Sequence, residues 1–114
     1  VYKRQSLKFL SILKNGNRTL INIDDIHYIK GARVYSELHL NSGKIEVHNK
    51  SLERLLQILP SRFERIHKSY LIDIHQIKNI KISPGGRYRA ITLDGTELPV
   101  SRTRYKEIQK RLIG

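Results

Sequence analysis

A mostly β, antiparallel fold with one short central helix and a C-terminal helix is what this sequence predicts. Three observations point there. Apolar segments of four to seven residues recur along the 114-residue chain, turn signals separate them, and only two stretches carry helical spacing instead.

"LKFLSIL" (7–13) and "RTLINI" (18–23) read as a strand pair around Asn15-Gly16, residues that accept the positive φ of a tight hairpin turn. Asp24 and Asp25 cap or turn the chain before the strand "IHYIK" (26–30). "GARVYS" (31–36) reads as an interruption, after which "ELHL" (37–40) resumes with period two. Asn41-Ser42-Gly43 then turns the chain into "KIEVHN" (44–49). In "SLERLLQILP" (51–60), Leu52, Leu55, Leu56 and Leu59 recur at helical spacing. Ser51 suits the N-cap, Glu53 the positive end of the dipole, and Pro60 the stop. "FERIHKSYLI" (63–72) sets His67, Lys68 and Ser69 between apolar flanks, a bend between two strands that is either merely solvated or presented to a partner. "IKNIKI" (77–82) and "RYRAITL" (87–93) flank the turn "SPGG", and Asp94-Gly95 leads into "TELPV" (96–100). In "SRTRYKEIQKRLIG" (101–114), Tyr105, Ile108 and Leu112 form one stripe and Ser101 is the expected N-cap. No internal repeat and no low-complexity tract is evident.

The length fits one compact domain. Lysine and arginine number 22 against 10 acidic residues, a net charge of +12. That much repulsion in a small domain implies a polyanionic partner, nucleic acid first and an anionic membrane surface second. Absence of cysteine excludes disulfides and thiolate metal sites and is compatible with a reducing cytoplasm. No apolar run approaches the roughly 20 residues that span a bilayer. "VYKRQSLKFL" has neither the apolar core nor the cleavage site of a signal peptide, and it begins at Val1. The chain therefore reads as a piece of something longer, with residues 1–6 as linker or appended residues and 7–114 as the domain.

Catalysis finds little footing. His67, Ser69 and Asp73 supply triad residue types, but there is no nucleophile elbow and no Gly-rich oxyanion loop, so His67 and Ser69 should share an ordinary hydrogen bond. The histidines His27, His39, His48, His67 and His75 show no metal-ligand spacing, although His39 and His48 sit on opposite arms of one hairpin. No cofactor site is expected, and "SPGGR" is a turn, not a phosphate loop. The basic loops remain: "KGARVYS", "PSRFER", "HKS" and "SRTR" put cations and hydroxyls where strands end. Arginine forks match guanine O6 and N7, while lysines and hydroxyls suit phosphates. No helix-turn-helix pair is present, and with two Phe, six Tyr and no Trp a base-stacking sheet is less favoured. A small basic RNA- or single-strand-binding β domain is the alternative.

"FERIHKSYLIDIHQIKNI", followed by "LDGTELPVSRTRYKEIQKRL", resembles the LytTR (LytR/AlgR-type) DNA-binding domain of bacterial regulators. The matching positions are Phe63, Arg65, His67, Ser69, Tyr70, Ile77, Gly95, Pro99, Val100, Ser101 and Arg102, and "IDDIHYIKGARVYSELHLNSGKIEVHNKSLERLLQILP" agrees upstream, so the likeness covers about residues 7–113. It implies an elongated β-β-β sandwich whose loops enter successive major grooves. Carried over by motif, the readers are Arg33, Tyr35 and Ser36, then His67, Lys68 and Ser69, then Arg102, Thr103 and Arg104. Lys30, Arg62 and Arg65 are phosphate contacts. The resemblance also implies no enzyme activity, a dimer on paired direct repeats of double-stranded DNA, and a receiver or other sensor domain N-terminal to this one. Two departures are visible: Asp73 replaces the family's usual asparagine, and "GARVYS" has no histidine near Ser36.

Overall fold

β1 (Phe9–Lys14) and β2 (Asn17–Asn22) form a hairpin whose inner face buries Leu10, Ile12 and Ile21, in a computed structural model that describes residues 7–113. The turn is the expected one, with Asn15 at φ 52° and Gly16 at φ 79°. A 3-10 turn (Ile23–Asp25) leads into β3 (Ile26–Ala32), followed by β4 (Tyr35–Leu40) and β5 (Ile45–His48). Helix α1 (Leu52–Ile58) begins where the Ser51 hydroxyl accepts the Arg54 N–H at 3.4 Å. β6 (Phe63–His67) and β7 (Tyr70–Asp73) enclose the His-Lys-Ser bend. A second 3-10 turn (Ile74–Gln76) precedes β8 (Ile77–Ser83), β9 (Arg87–Thr92) and β10 (Glu97–Val100), and helix α2 (Arg102–Ile113) ends the chain. The linker assignment of residues 1–6 lies outside the described residues.

All pairings are antiparallel: β1-β2, β5-β4-β3-β7-β6 and β10-β9-β8. The five-stranded sheet is the middle layer, because neighbours on β7 point into different cores. Leu71 packs with Leu10, Ile29, Leu38, Leu55 and Phe63, under the first hairpin and α1. Ile72 packs with Ile66, Ala90, Leu98, Val100 and Ile108, against the small sheet and α2. Each such fully buried side chain contributes about 1.5–3 kcal/mol. The layers give principal extents of 47 × 36 × 25 Å, the elongated sandwich expected.

Two expectations need correction. "GARVYS" is no interruption: Ala32 pairs Tyr35 and Gly31 pairs Ser36, so only Arg33 and Val34 form the turn of a continuous hairpin. A repeat is also present: the pattern Asn/Asp-Ile-x-x-Ile-x-x-Ile at 22–29 returns at 73–80, and the same topology follows each copy. Each half runs from a 3-10 turn through a three-strand meander to a helix. Asn22 and Asp73 cap the two turns alike, accepting the N–H of Asp24 at 2.9 Å and of His75 at 2.8 Å. Each turn ends by accepting a backbone N–H from beyond the second strand of its meander, Asn41 to Asp25 and Leu93 to Gln76. Asparagine and aspartate oxygens serve this cap equally, which accounts for Asp73 where the resemblance leads one to expect asparagine.

Candidate nucleic-acid interface

Three connections meet at one end of the molecule: the Arg33-Val34 turn, the Lys68-Ser69 bend and the start of α2. Backbone hydrogen bonds tie them together. The Gly31 N–H donates to the Ser69 carbonyl at 2.8 Å, and the Ser101 N–H donates to the Ile66 carbonyl at 2.8 Å. Gly31 is needed there, since a Cβ would lie 2.9 Å from the Leu52 side chain where α1 crosses β3. A bulge between Arg65 and His67 ends the regular β6–β7 register and sets His67 opposite Tyr70.

The bend is held from two sides. The Ser69 backbone N–H donates to His67 Nδ1 at 3.1 Å, and Arg65 Nη2 donates to the Lys68 carbonyl at 2.6 Å. The expected His67–Ser69 link thus exists, through the backbone and not the hydroxyl. Accepting at Nδ1 requires that nitrogen to be unprotonated; burial, then Lys68, Arg104 and Arg65, push the His67 pKa below the usual value. The same staple occurs beside it: the Lys50 N–H donates to His48 Nδ1 at 3.1 Å, and burial, then Lys50 and Arg18, lower the His48 pKa. His48 and His39 are not neighbours, because they lie on opposite faces of their hairpin, His39 stacked on Tyr28 at 4.4 Å.

The expected residues divide. Arg33, Tyr35 and Lys68 are exposed, and Arg33 and Lys68 line one concavity with Gly31, Glu53 and Arg65. Lys30 is exposed on β3, in the third pair from the turn. Thr103 is exposed in the first turn of α2 and Arg104 is half-buried beside it. Arg102 reaches from that turn to the Gly85 carbonyl at 2.9 Å and the Gly86 carbonyl at 3.4 Å, clasping the β8–β9 turn. Ser101 stands at the N-cap position, but its hydroxyl lies 3.4 Å from the Thr103 hydroxyl instead of on a backbone N–H.

Ser36 and Arg62 do not belong to this surface. Ser36 is fully buried and its hydroxyl donates to the Lys50 carbonyl at 2.7 Å, because Ser36 opposes His48 on the covered face of the sheet. Arg62 lies at the far end of β6, donating to Asp73 at 2.7 Å and Asp24 at 2.8 Å. Both are structural residues. The sequence reading passed over Val34 and Lys50. Val34 is 78% exposed at the hairpin tip, where a β-branched apolar residue serves no packing. That mismatch of residue type and turn was a usable signal.

Arg33 has φ 65°, the left-handed region that this turn position ordinarily gives to glycine. The first hairpin solves the same problem with Asn-Gly. At Arg33 the backbone accepts strain, and the side chain stays free of intramolecular hydrogen bonds among the described residues.

A rigid β scaffold holding unpaired cations on adjoining loops is a polyanion-binding module. The chain belongs to the LytTr DNA-binding domain family, whose pattern matches residues 16–113; this is a family of DNA-binding domains and not of enzymes. It is 28% identical over 99 residues to the sensory transduction protein LytT of Bacillus cereus, covering 82% of this chain and 38% of that protein. It is 27% identical over 114 residues to the transcriptional regulatory protein BtsR of Escherichia coli, covering 97% of this chain and 45% of that one. The chain thus spans less than half the length of these curated relatives. The fold matches the solved LytTr domain of a Bacillus cereus methyl-accepting/DNA response regulator with TM-score 0.79 at 18% identity, covering 94% of this chain and 98% of that one.

Proposed function

We propose that residues 7–114 form the effector domain of a bacterial transcription regulator. The domain reads duplex DNA sequence-specifically by lowering its loops into successive major grooves. The major groove is about 12 Å wide and admits a two-stranded β-ribbon, so the Arg33-Val34 hairpin is of the right kind to enter it. Arg33 offers a fork for guanine O6 and N7, Val34 an apolar contact for a thymine methyl, and Lys68 and Lys30 charges for phosphates. His67 and Arg65 order the bend that presents Lys68. The observation that carries this reading is the strained Arg33 turn, an interface residue kept where glycine would fold more easily. The reading extends to a cytoplasmic regulator with a receiver or other sensor domain N-terminal to this one, binding as a dimer on paired direct repeats.

Fluorescence anisotropy across a salt series, on pools of duplex DNA, single-stranded DNA and RNA, tests the reading. The parent should prefer particular duplexes. Arg33→Ala should flatten that preference, and Lys68→Ala should weaken all duplexes alike while lowering the slope of log K against log salt by about 0.9. A preference for single strands or RNA would transfer the domain to the stacking class of β modules.

A further inference from the structure

The three-stranded sheet carries a second charged surface that the loops do not use. Across β8 and β9, Lys81 pairs directly with Arg89 and Ser83 with Arg87. Alternation along β9 sends Tyr88, Ala90 and Thr92 toward the core and Arg87 and Arg89 outward, both exposed, as is Lys81. Like charges directly opposite each other on one sheet face repel, so nothing in the fold favours Lys81 against Arg89. The Lys81 and Arg87 side chains make no hydrogen bond or ion pair among the described residues. Arg89 has only a 4.0 Å approach to Glu97, with both side chains about half exposed.

The position of this face gives the repulsion a use. The β8–β9 turn is clasped by Arg102 from the first turn of α2, so Arg87 sits at the loop end of the sheet. Arg87 and Arg89 line one shallow concavity with His67, Pro99 and Ser101, which makes their surface continuous with the loop interface. Toward the other end carboxylates offset the cations, with Glu97 on β10 and Asp94 in the turn before it set against Lys78 on β8. The cations therefore form a track that starts at the loops and fades along the strands.

We propose that Lys81, Arg87 and Arg89 are a phosphate track, seating the DNA backbone that flanks the grooves entered by the loops. The inference rests on the duplex-DNA reading above and deepens it. The track supplies affinity without base preference, since cations on a flat sheet face address phosphates and not base edges. It also gives the duplex a fixed side on which to leave the loops.

The test compares Lys81→Gln/Arg87→Gln/Arg89→Gln with a control of equal charge from outside this sheet, Lys8→Gln/Arg18→Gln/Lys44→Gln, on two 30-bp duplexes. One is a duplex selected by the parent chain from a random pool, and the other is a scrambled sequence. Circular dichroism and thermal melting confirm that both triple variants fold. The track variant should lose roughly 10- to 100-fold in affinity for both duplexes near physiological salt and lower the salt slope by about 2–3. The ratio between the duplexes should stay as in the parent, and a hydroxyl-radical footprint should shorten on one flank only. A slope equal to that of the control overturns the track. A collapsed ratio between the duplexes also overturns it, by making these residues base readers. If instead the parent itself fails to prefer duplex DNA, the underlying DNA reading has failed, and that result is visible before any variant is made.

Discussion

The two ends of the molecule handle charge in opposite ways. Asp24, Asp25, Asp73 and Asp94 all lie at the end where β3 and β8 begin, and the carboxylates of Asp24, Asp73 and Asp94 are occupied there. Asp73 caps a turn and grips Arg62, which also holds Asp24. Asp94 accepts from the Thr92 hydroxyl and from the hydroxyl and N–H of Thr96, which hold its pKa down to about 2. The loop end has no aspartate. Its turns are fastened on backbone groups, by His48 and His67 accepting N–H bonds and by Arg65 and Arg102 donating to carbonyls, while Arg33 and Lys68 stay exposed. Charges at the aspartate end are matched within the fold, whereas Arg33 and Lys68 at the loop end have no carboxylate partner among the described residues.

Arg62→Ala breaks the aspartate end most directly. It should cost about 1–3 kcal/mol in urea unfolding, because two charge-assisted hydrogen-bond partners are left without a donor. Duplex affinity should stay within twofold of the parent. Lost affinity at unchanged stability would return Arg62 to the interface.

Arg33→Gly sharpens the contrast from the loop end. Relief of the left-handed φ should raise stability by about 0.5–1 kcal/mol while weakening sequence preference on duplexes. A destabilised variant would mean that the arginine side chain supports its own turn.

Acid distinguishes the ends with the smallest perturbation. His48 and His67 have folded pKa values below the unfolded value of 6.5, so the stability they contribute is complete above that pH. It is lost as pH falls through the depressed folded values, where both states carry the proton. Asp94, lowered from 3.8 to about 2, keeps its contribution above pH 3.8 and loses it as pH falls from there through about 2. The melting temperature should therefore drop between pH 7 and pH 5, and less so in His48→Asn/His67→Asn. An equal drop in that variant would place the acid sensitivity elsewhere.

Much of this architecture was legible in the residues. Asn15-Gly16 announces its turn because few other pairs accept two positive φ values, and the spacing of Leu52, Leu55 and Leu59 marks the face that α1 buries. The Arg33-Val34 turn was hidden because its residues contradict its geometry, so it read as a break in a strand. Ser36 looked like a loop hydroxyl until register placed it on the covered face, and register depends on which partner strand lies opposite. Arg62 resembled any basic loop residue, since its two aspartates are 11 and 38 positions away in the chain. The repeat was easy to miss because little of it is spelled in side chains: a capping Asn22 or Asp73, then isoleucines at 23, 26 and 29 and again at 74, 77 and 80.

The Gly31–Ser69 and Ser101–Ile66 backbone bonds have a mechanical consequence. Loops that hung independently could each shift to suit a stretched or compressed target. Here the first turn cannot move without pulling the bend, nor the bend without the start of α2, so the three form one gauge of fixed span. On the reading proposed above, a base pair inserted between two of the contacted steps throws every later contact out of phase. The domain would measure distance along the helix as strictly as it identifies the bases.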